Sequence, residues 1–187
     1  MKTLFLLLLT GLLLAFQPAA TSYQVSPATS RLTWTGYAET GTWAPTGTLL
    51  LRRGRFDYDG TRLRNGRFEF DMASITHTNA QLQQHLRDVD FFDVERFPTA
   101  VFSLREVANG VAVGELTLKG ITRPLQFPVS LTRRPGGSLA LRGTATLDRT
   151  RFGVNYNSSS FFQNLGSYAI RNDFQLEFEL LATPGQP

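Results

Sequence analysis

The chain has 187 residues, 42% hydrophobic and 18% charged, with a formal net charge of +4, 15 Phe and no Cys. That length suits one domain with a single sizeable core, and the aromatic content argues against a disordered chain. Without cysteine there is no disulfide framework, thiolate metal site, cysteine nucleophile or lipidated N-terminal cysteine, and two histidines exclude a His-rich metal site.

Residues 1–22 read as a secretory signal. Lys2 precedes an apolar run from Leu4 to Phe16, and small residues follow at Ala19, Ala20, Thr21 and Ser22. The run is short of the roughly 20 apolar residues a spanning helix needs. The expectation is a cleaved, exported protein, periplasmic or secreted, neither membrane-spanning nor a lipoprotein, with its folded domain over residues 23–183.

From Tyr23 onward the dominant pattern is alternation with period two, the mark of strands with one wet and one apolar face. Phe68, Phe70 and Met72 alternate with polar residues; so do Leu125, Phe127, Val129 and Leu131, and Phe174, Leu176, Phe178 and Leu180. Eight strands are predicted, near 31–37, 46–57, 67–75, 100–108, 111–118, 125–133, 139–148 and 171–182. Asn109-Gly110 is a hairpin signal, and Asp59-Gly60, Asn65-Gly66 and Pro135-Gly136-Gly137 mark further turns. Many amphipathic strands in series favour a closed barrel or a sandwich.

One segment departs from that pattern. Thr78-Asn79-Ala80-Gln81 has the form of a capping box, with Leu82, Leu86 and Val89 at helical spacing behind it, so a helix is predicted over 79–90. The stretch 156–169 reads as a long Ser/Asn-rich loop carrying Phe161 and Phe162, and loops of that length are often functional.

The residues give catalysis little to stand on. No nucleophile motif or phosphate-cradling loop appears. His77 and His85 are eight apart, which is not a ligand spacing on one helical face, and read as capping or surface residues. Asp88, Asp90 and Asp93 read as turn formers, and Asp148-Arg149 as a local ion pair. No catalytic residue, metal or cofactor is expected. The basicity is almost all Arg, 17 of 19 basic residues, six of them between Arg52 and Arg67. Guanidinium suits planar anions, but the excess is small for a nucleic-acid partner. A barrel bore lined by Trp34, Phe68, Phe70, Phe102, Leu116, Phe127 and Phe178 could be filled by these side chains or hold one apolar ligand.

Several motifs, in order, make the chain resemble the YceI-like family of polyisoprenoid-binding, lipocalin-like proteins. They include Ser30-Arg31-Leu32-Thr33-Trp34, Phe70-Asp71-Met72-Ala73-Ser74-Ile75, Asp90-Phe91-Phe92-Asp93-Val94 and Phe97-Pro98-Thr99-Ala100. Gly114-Glu115-Leu116-Thr117-Leu118-Lys119-Gly120 and Asp148-Arg149 before Phe152-Gly153-Val154 complete the set. The resemblance implies an all-β fold: an eight-stranded antiparallel barrel with one short helix between strands, binding an isoprenoid or other amphiphilic lipid in its bore. It is also compatible with a homodimer. Family members often carry a His between glycines near Gly41-Thr42-Trp43-Ala44-Pro45-Thr46-Gly47; here Trp43 stands instead, read with Phe161 and Phe162 as a mouth residue. The competing expectation is a filled barrel whose Arg-rich surface engages an anionic envelope component.

Overall fold

The computed structural model describes residues 20–185. The expected leader falls on residues outside these, apart from Ala20 and from Thr21 and Ser22, which open the first strand. Among the described residues there are ten strands: β1 (Thr21–Val25), β2 (Arg31–Thr35), β3 (Thr46–Thr48), β4 (Leu50–Tyr58), β5 (Leu63–Asp71), β6 (Thr99–Ala108), β7 (Val111–Leu118), β8 (Ile121–Arg133), β9 (Leu139–Asp148) and β10 (Asp173–Pro184). One α-helix, α1 (Ala80–Arg87), lies between β5 and β6.

All ladders are antiparallel. They run β1-β4-β5-β6-β7-β8-β9-β10, and β10 returns to β1 with Val25 opposite Ala182, closing an eight-stranded barrel. β2 and β3 extend it: β2 continues along β10, with Leu32 opposite Phe178, and β3 pairs with β2. β1 and β2 are thus one wall position broken by the turn Pro27–Thr29. The break is stitched to β10 by Ser26 N–H donating to Leu181 O at 2.8 Å. Closure leaves no long free edge, which is how an antiparallel sheet of this length avoids edge-to-edge association.

β8 has a local fault in its pairing. It pairs with β7 from Ile121 to Pro128, but with β9 only from Val129–Gly143 to Arg133–Leu139. Pro124 and Pro128 fall in the stretch that β9 does not pair. Proline has no N–H to give a second ladder and is confined to such edge positions.

Sequence and structure differ at several boundaries: β5 lies four residues earlier at each end than the expected 67–75, and the expected 46–57 strand is split at Leu49 into β3 and β4. β1 went unpredicted, because Tyr23 and Val25 give only two alternating positions before Pro27. β8 begins four residues before the expected start. The helix is shorter than expected and its N-cap is Asn79, not Thr78: the Asn79 side chain accepts from Leu82 N–H at 3.0 Å. Asp88 ends the helix in extended conformation, so Val89 lies outside it and in solvent.

Candidate functional site: an apolar bore under a helical lid

The barrel interior contains an aromatic belt. Ring contacts run Tyr23–Phe56 (5.4 Å), Phe56–Phe68 (6.4 Å), Phe68–Phe102 (6.4 Å), Phe102–Phe127 (5.2 Å) and Phe127–Phe178 (5.7 Å). Two of these contacts pass over a strand. The Phe102–Phe127 contact crosses β7 and the Phe127–Phe178 contact crosses β9. At both crossings the strand presents glycine. A Cβ on Gly114 would lie 2.9 Å from the Phe102 ring, and one on Gly143 would lie 2.8 Å from the Phe178 ring. A side chain at either position would press on the belt, and on the backbone oxygen of Ser103 or Pro128, which lies closer still.

Two apolar cavities follow the barrel axis. The first, about 70 Å³, is bounded by Phe68, Phe102, Phe127 and Phe178 of the belt, with Leu104 and Leu141 among its other walls. The second, about 100 Å³, lies towards α1 and is bounded by Trp34, Phe91, Phe92, Phe174, Leu86 and Arg149, among others. Phe70, Leu116, Leu147 and Leu176 border both, so the cavities are consecutive parts of one bore. Each is small beside the roughly 300–1,000 Å³ of typical ligand pockets. Aliphatic and aromatic side chains together fill the rest of the interior.

All seven residues expected in the bore line it. Trp34 borders the second cavity, Phe68, Phe102, Phe127 and Phe178 the first, and Phe70 and Leu116 both. Trp34 is also fixed by its indole N–H, which donates to Thr76 O at 3.1 Å. Trp43, Phe161 and Phe162 border neither cavity and project into solvent from the loops at the α1 end. Sequence reasoning missed Phe91 and Phe92 as bore residues, since their flanking aspartates suggested a solvated turn. It also missed Arg149.

The α1 end is closed by a lid. Leu86, Phe91 and Phe92 point down from the helix and the turn after it, and Phe92 meets Phe174 of β10 edge to face at 6.4 Å. Lys119, in the β7–β8 turn, pins this turn by donating from Nζ to Val89 O at 2.8 Å and Phe91 O at 2.7 Å. Burial pushes its ammonium pKa down, while Asp93 and Asp90 pull it up. Arg87 adds a bond from Nη2 to Ile75 O at 2.9 Å. His77 has a capping role, accepting from Asn79 N–H on Nδ1. His85 is not a surface residue: it is half-buried, with Phe91 and Tyr156 packed edge-on against it at 5.0 and 4.5 Å.

Arg149 organises the loop that packs beside the lid. Its buried guanidinium donates to four backbone carbonyls: Arg171 O at 3.0 Å, Val154 O and Tyr156 O at 2.8 Å, and Ile170 O at 2.9 Å. It thereby ties together both arms of the 149–172 loop. The expected Asp148–Arg149 ion pair is replaced by a division of labour. Asp148 accepts from Thr150 N–H and hydroxyl, capping the short turn Arg149–Phe152, while Arg149 faces carbonyl dipoles. Burial pulls the Arg149 pKa below the ordinary guanidinium value, against the opposing pull of Asp148 and Glu39.

On the outer wall, Arg53 and Arg67 share Glu69, with Arg53 Nε 2.8 Å from Oε2 and Arg67 Nε 2.9 Å from Oε1. The Arg53 hydrogen bond, ahead of the opposing effect of burial, holds the Glu69 carboxyl below its usual range. Arg55 lies directly opposite Arg67 across β4–β5. With Gln24 these groups line an open groove of about 410 Å³.

Comparison with known proteins agrees with this architecture. The YceI-like domain model matches residues 23–182. The chain belongs to the YceI-like family. Among solved structures, Burkholderia cenocepacia BcnA superposes with a TM-score of 0.68 at 19% identity, covering 85% of this chain and 99% of that one. A polyisoprenoid binding domain from Saccharophagus degradans, implicated in plant cell wall breakdown, gives 0.68 at 12% identity, over 88% and 99% of the two chains. The Campylobacter jejuni YceI protein gives 0.53 at 16% identity, over 81% and 85%. At these identities the likeness is one of fold. A UPF0312 protein of Staphylococcus aureus is 31% identical over 93 residues, 46% of this chain and 54% of that protein. The chain thus matches about half the length of such curated relatives. Among the described residues no helix is long and apolar enough to cross a membrane.

Proposed function

We propose that this YceI-like protein is a non-catalytic binder of an isoprenoid-type lipid, a polyprenyl or quinone-like amphiphile, carried or stored in the cell envelope after export. The observation that carries this reading is the pair of adjoining apolar cavities inside the barrel, which share Phe70, Leu116, Leu147 and Leu176 as walls. Burial of a hydrocarbon chain there is worth about 0.8 kcal/mol per CH₂. The Saccharophagus degradans relative, a polyisoprenoid binding domain, supports the same ligand class. Both cavities are small, so loading requires the aromatic belt and the lid to yield. The polar head stays outside the bore, whose walls offer it no hydrogen-bonding side chain except Trp34 and Arg149, both already engaged with carbonyls, and the Arg171–Asp173 pair at the rim.

Titration of the purified protein with a polyprenyl phosphate tests this. Saturable binding that Leu147→Trp abolishes in a still-folded protein is expected; binding unchanged by a blocked bore sinks the reading. A second reading has one observation in its favour. The small cavities and the groove around Arg53, Arg55 and Arg67 suit a filled barrel that binds an anionic polymer on its wall. Binding of such a polymer that weakens with salt and is lost in Arg53→Ala/Arg55→Ala supports that alternative.

A further inference from the structure

Large apolar side chains that face solvent are gathered at one end of the barrel. Among the described residues these are Trp43, Leu50, Val89, Phe161, Phe162 and Tyr168, each between 49% and 76% exposed. Leu50 opens β4 opposite Asp71, and Val89 follows α1. The four aromatics sit on the loops 36–45 and 149–172. Those loops are joined by the Ala38–Ile170 bridge, by Glu39 N–H donating to Ala169 O and by Arg171 N–H donating to Tyr37 O. All six therefore lie at the lid end. The opposite end, where turns follow β4, β6 and β8, shows none of them. Scattered exposed apolar residues need no explanation, but six confined to one end of a barrel do.

The chemistry of this end selects the partner. Residues 149–172 contain Arg149, Arg151 and Arg171 and no carboxylate. Their exposed aromatics stand among Ser, Asn, Gln and Gly, which suits separate anchors better than a flat protein interface. Tyr, Trp and Phe side chains of this kind partition into the interfacial region of a bilayer. The same loops supply Gly36, Ile170 and Arg171 to the wall of the second cavity, so the protruding surface is continuous with the bore. Asp88, Asp90, Asp93 and Glu95 lie on the lid side, and Glu39 and Asp173 near the loops. With Arg87, Arg96 and Lys119 on the same side, this end carries both signs of charge, so its exposed apolar surface and not a one-sided charge sets it apart.

We propose that the lid end docks onto a phospholipid bilayer by burying Trp43, Phe161, Phe162 and Tyr168 among the headgroups, which sets the bore against the membrane. The two tryptophans permit a direct test, because Trp34 is buried and Trp43 is exposed. Vesicles of brominated phosphatidylcholine are expected to quench the fluorescence of the purified protein, and Trp43→Phe to abolish the quenching. Phe161→Ser/Phe162→Ser should weaken vesicle partitioning about tenfold or more, with little salt dependence and an unchanged circular dichroism melt. No quenching, or partitioning unaltered in that variant, overturns the proposal. Lipid retention is measured separately, in vesicle-free solution. A protein that retains lipid but ignores vesicles refutes docking alone, and one that docks but retains no lipid refutes the carrier reading alone.

Discussion

Phe127 and Phe178 meet edge to face at 5.7 Å beneath Gly143, the one position of β9 whose missing side chain lets the two rings touch. The contact closes an aromatic belt across β8, β9 and β10 and forms part of the wall of the first cavity.

Gly143→Ala is therefore expected to destabilise the protein by about 1–3 kcal/mol, the usual cost of overpacking. The new Cβ would stand 2.6 Å from Pro128 O and 2.8 Å from the Phe178 ring. In a Phe178→Ala background part of the obstacle is gone, so the cost should fall by about 0.5–1 kcal/mol. Urea unfolding of the four proteins measures this; an identical cost in both backgrounds shows that the ring is not the obstacle.

Arg149 should resist its nearest substitute. Lysine keeps the charge but cannot present a planar fork to the carbonyls of Val154, Tyr156, Ile170 and Arg171. Arg149→Lys is expected to cost about 3 kcal/mol and to speed chymotryptic cleavage at the solvent-facing Phe161–Phe162 segment by loosening its backbone. Unchanged stability with an intact loop would show that the fork does not hold it.

The pH dependence follows from Glu69. Its pKa is held below the ordinary 4.5 in the folded protein, so its stabilisation is complete above about pH 4.5 and is lost as the pH falls through the lowered value. Glu69→Gln should lose about 1–2 kcal/mol at neutral pH, a figure discounted because Arg53 and Arg67 are substantially exposed. It should also flatten the acid side of the stability curve. A variant whose acid limb matches the parent would assign acid lability elsewhere; Asp59 and Glu179, also lowered by hydrogen bonds, are the next groups to test.

The strands were legible because their inward residues alternate, with breaks at Gly114 and Gly143, and Phe68, Phe70, Phe127 and Phe178 follow from that alternation. β1 was not, since five residues before a proline carry too little pattern. The lid residues Phe91 and Phe92 were hidden by the aspartates around them, which form the turn while the rings point down. Arg149 was hidden for a different reason. Its partners are backbone carbonyls brought together by the 149–172 loop, and no side-chain spacing announces them.

Under the carrier reading, Lys119 ties lipid exchange to the lid. Lys119→Met removes two charge-assisted bonds to Val89 O and Phe91 O and should speed release of a preloaded polyprenyl lipid about tenfold, equivalent to about 1.4 kcal/mol. Stopped-flow transfer to acceptor vesicles reads this directly. An unchanged release rate would place the exit route away from the lid.

The most direct test is native mass spectrometry of the protein purified from its native host without detergent extraction. A bound species with the mass of a polyprenyl or quinone-type lipid, lost when Leu147→Trp blocks the bore, is the predicted result. A uniformly empty protein that also fails to retain added polyprenyl lipid would contradict it.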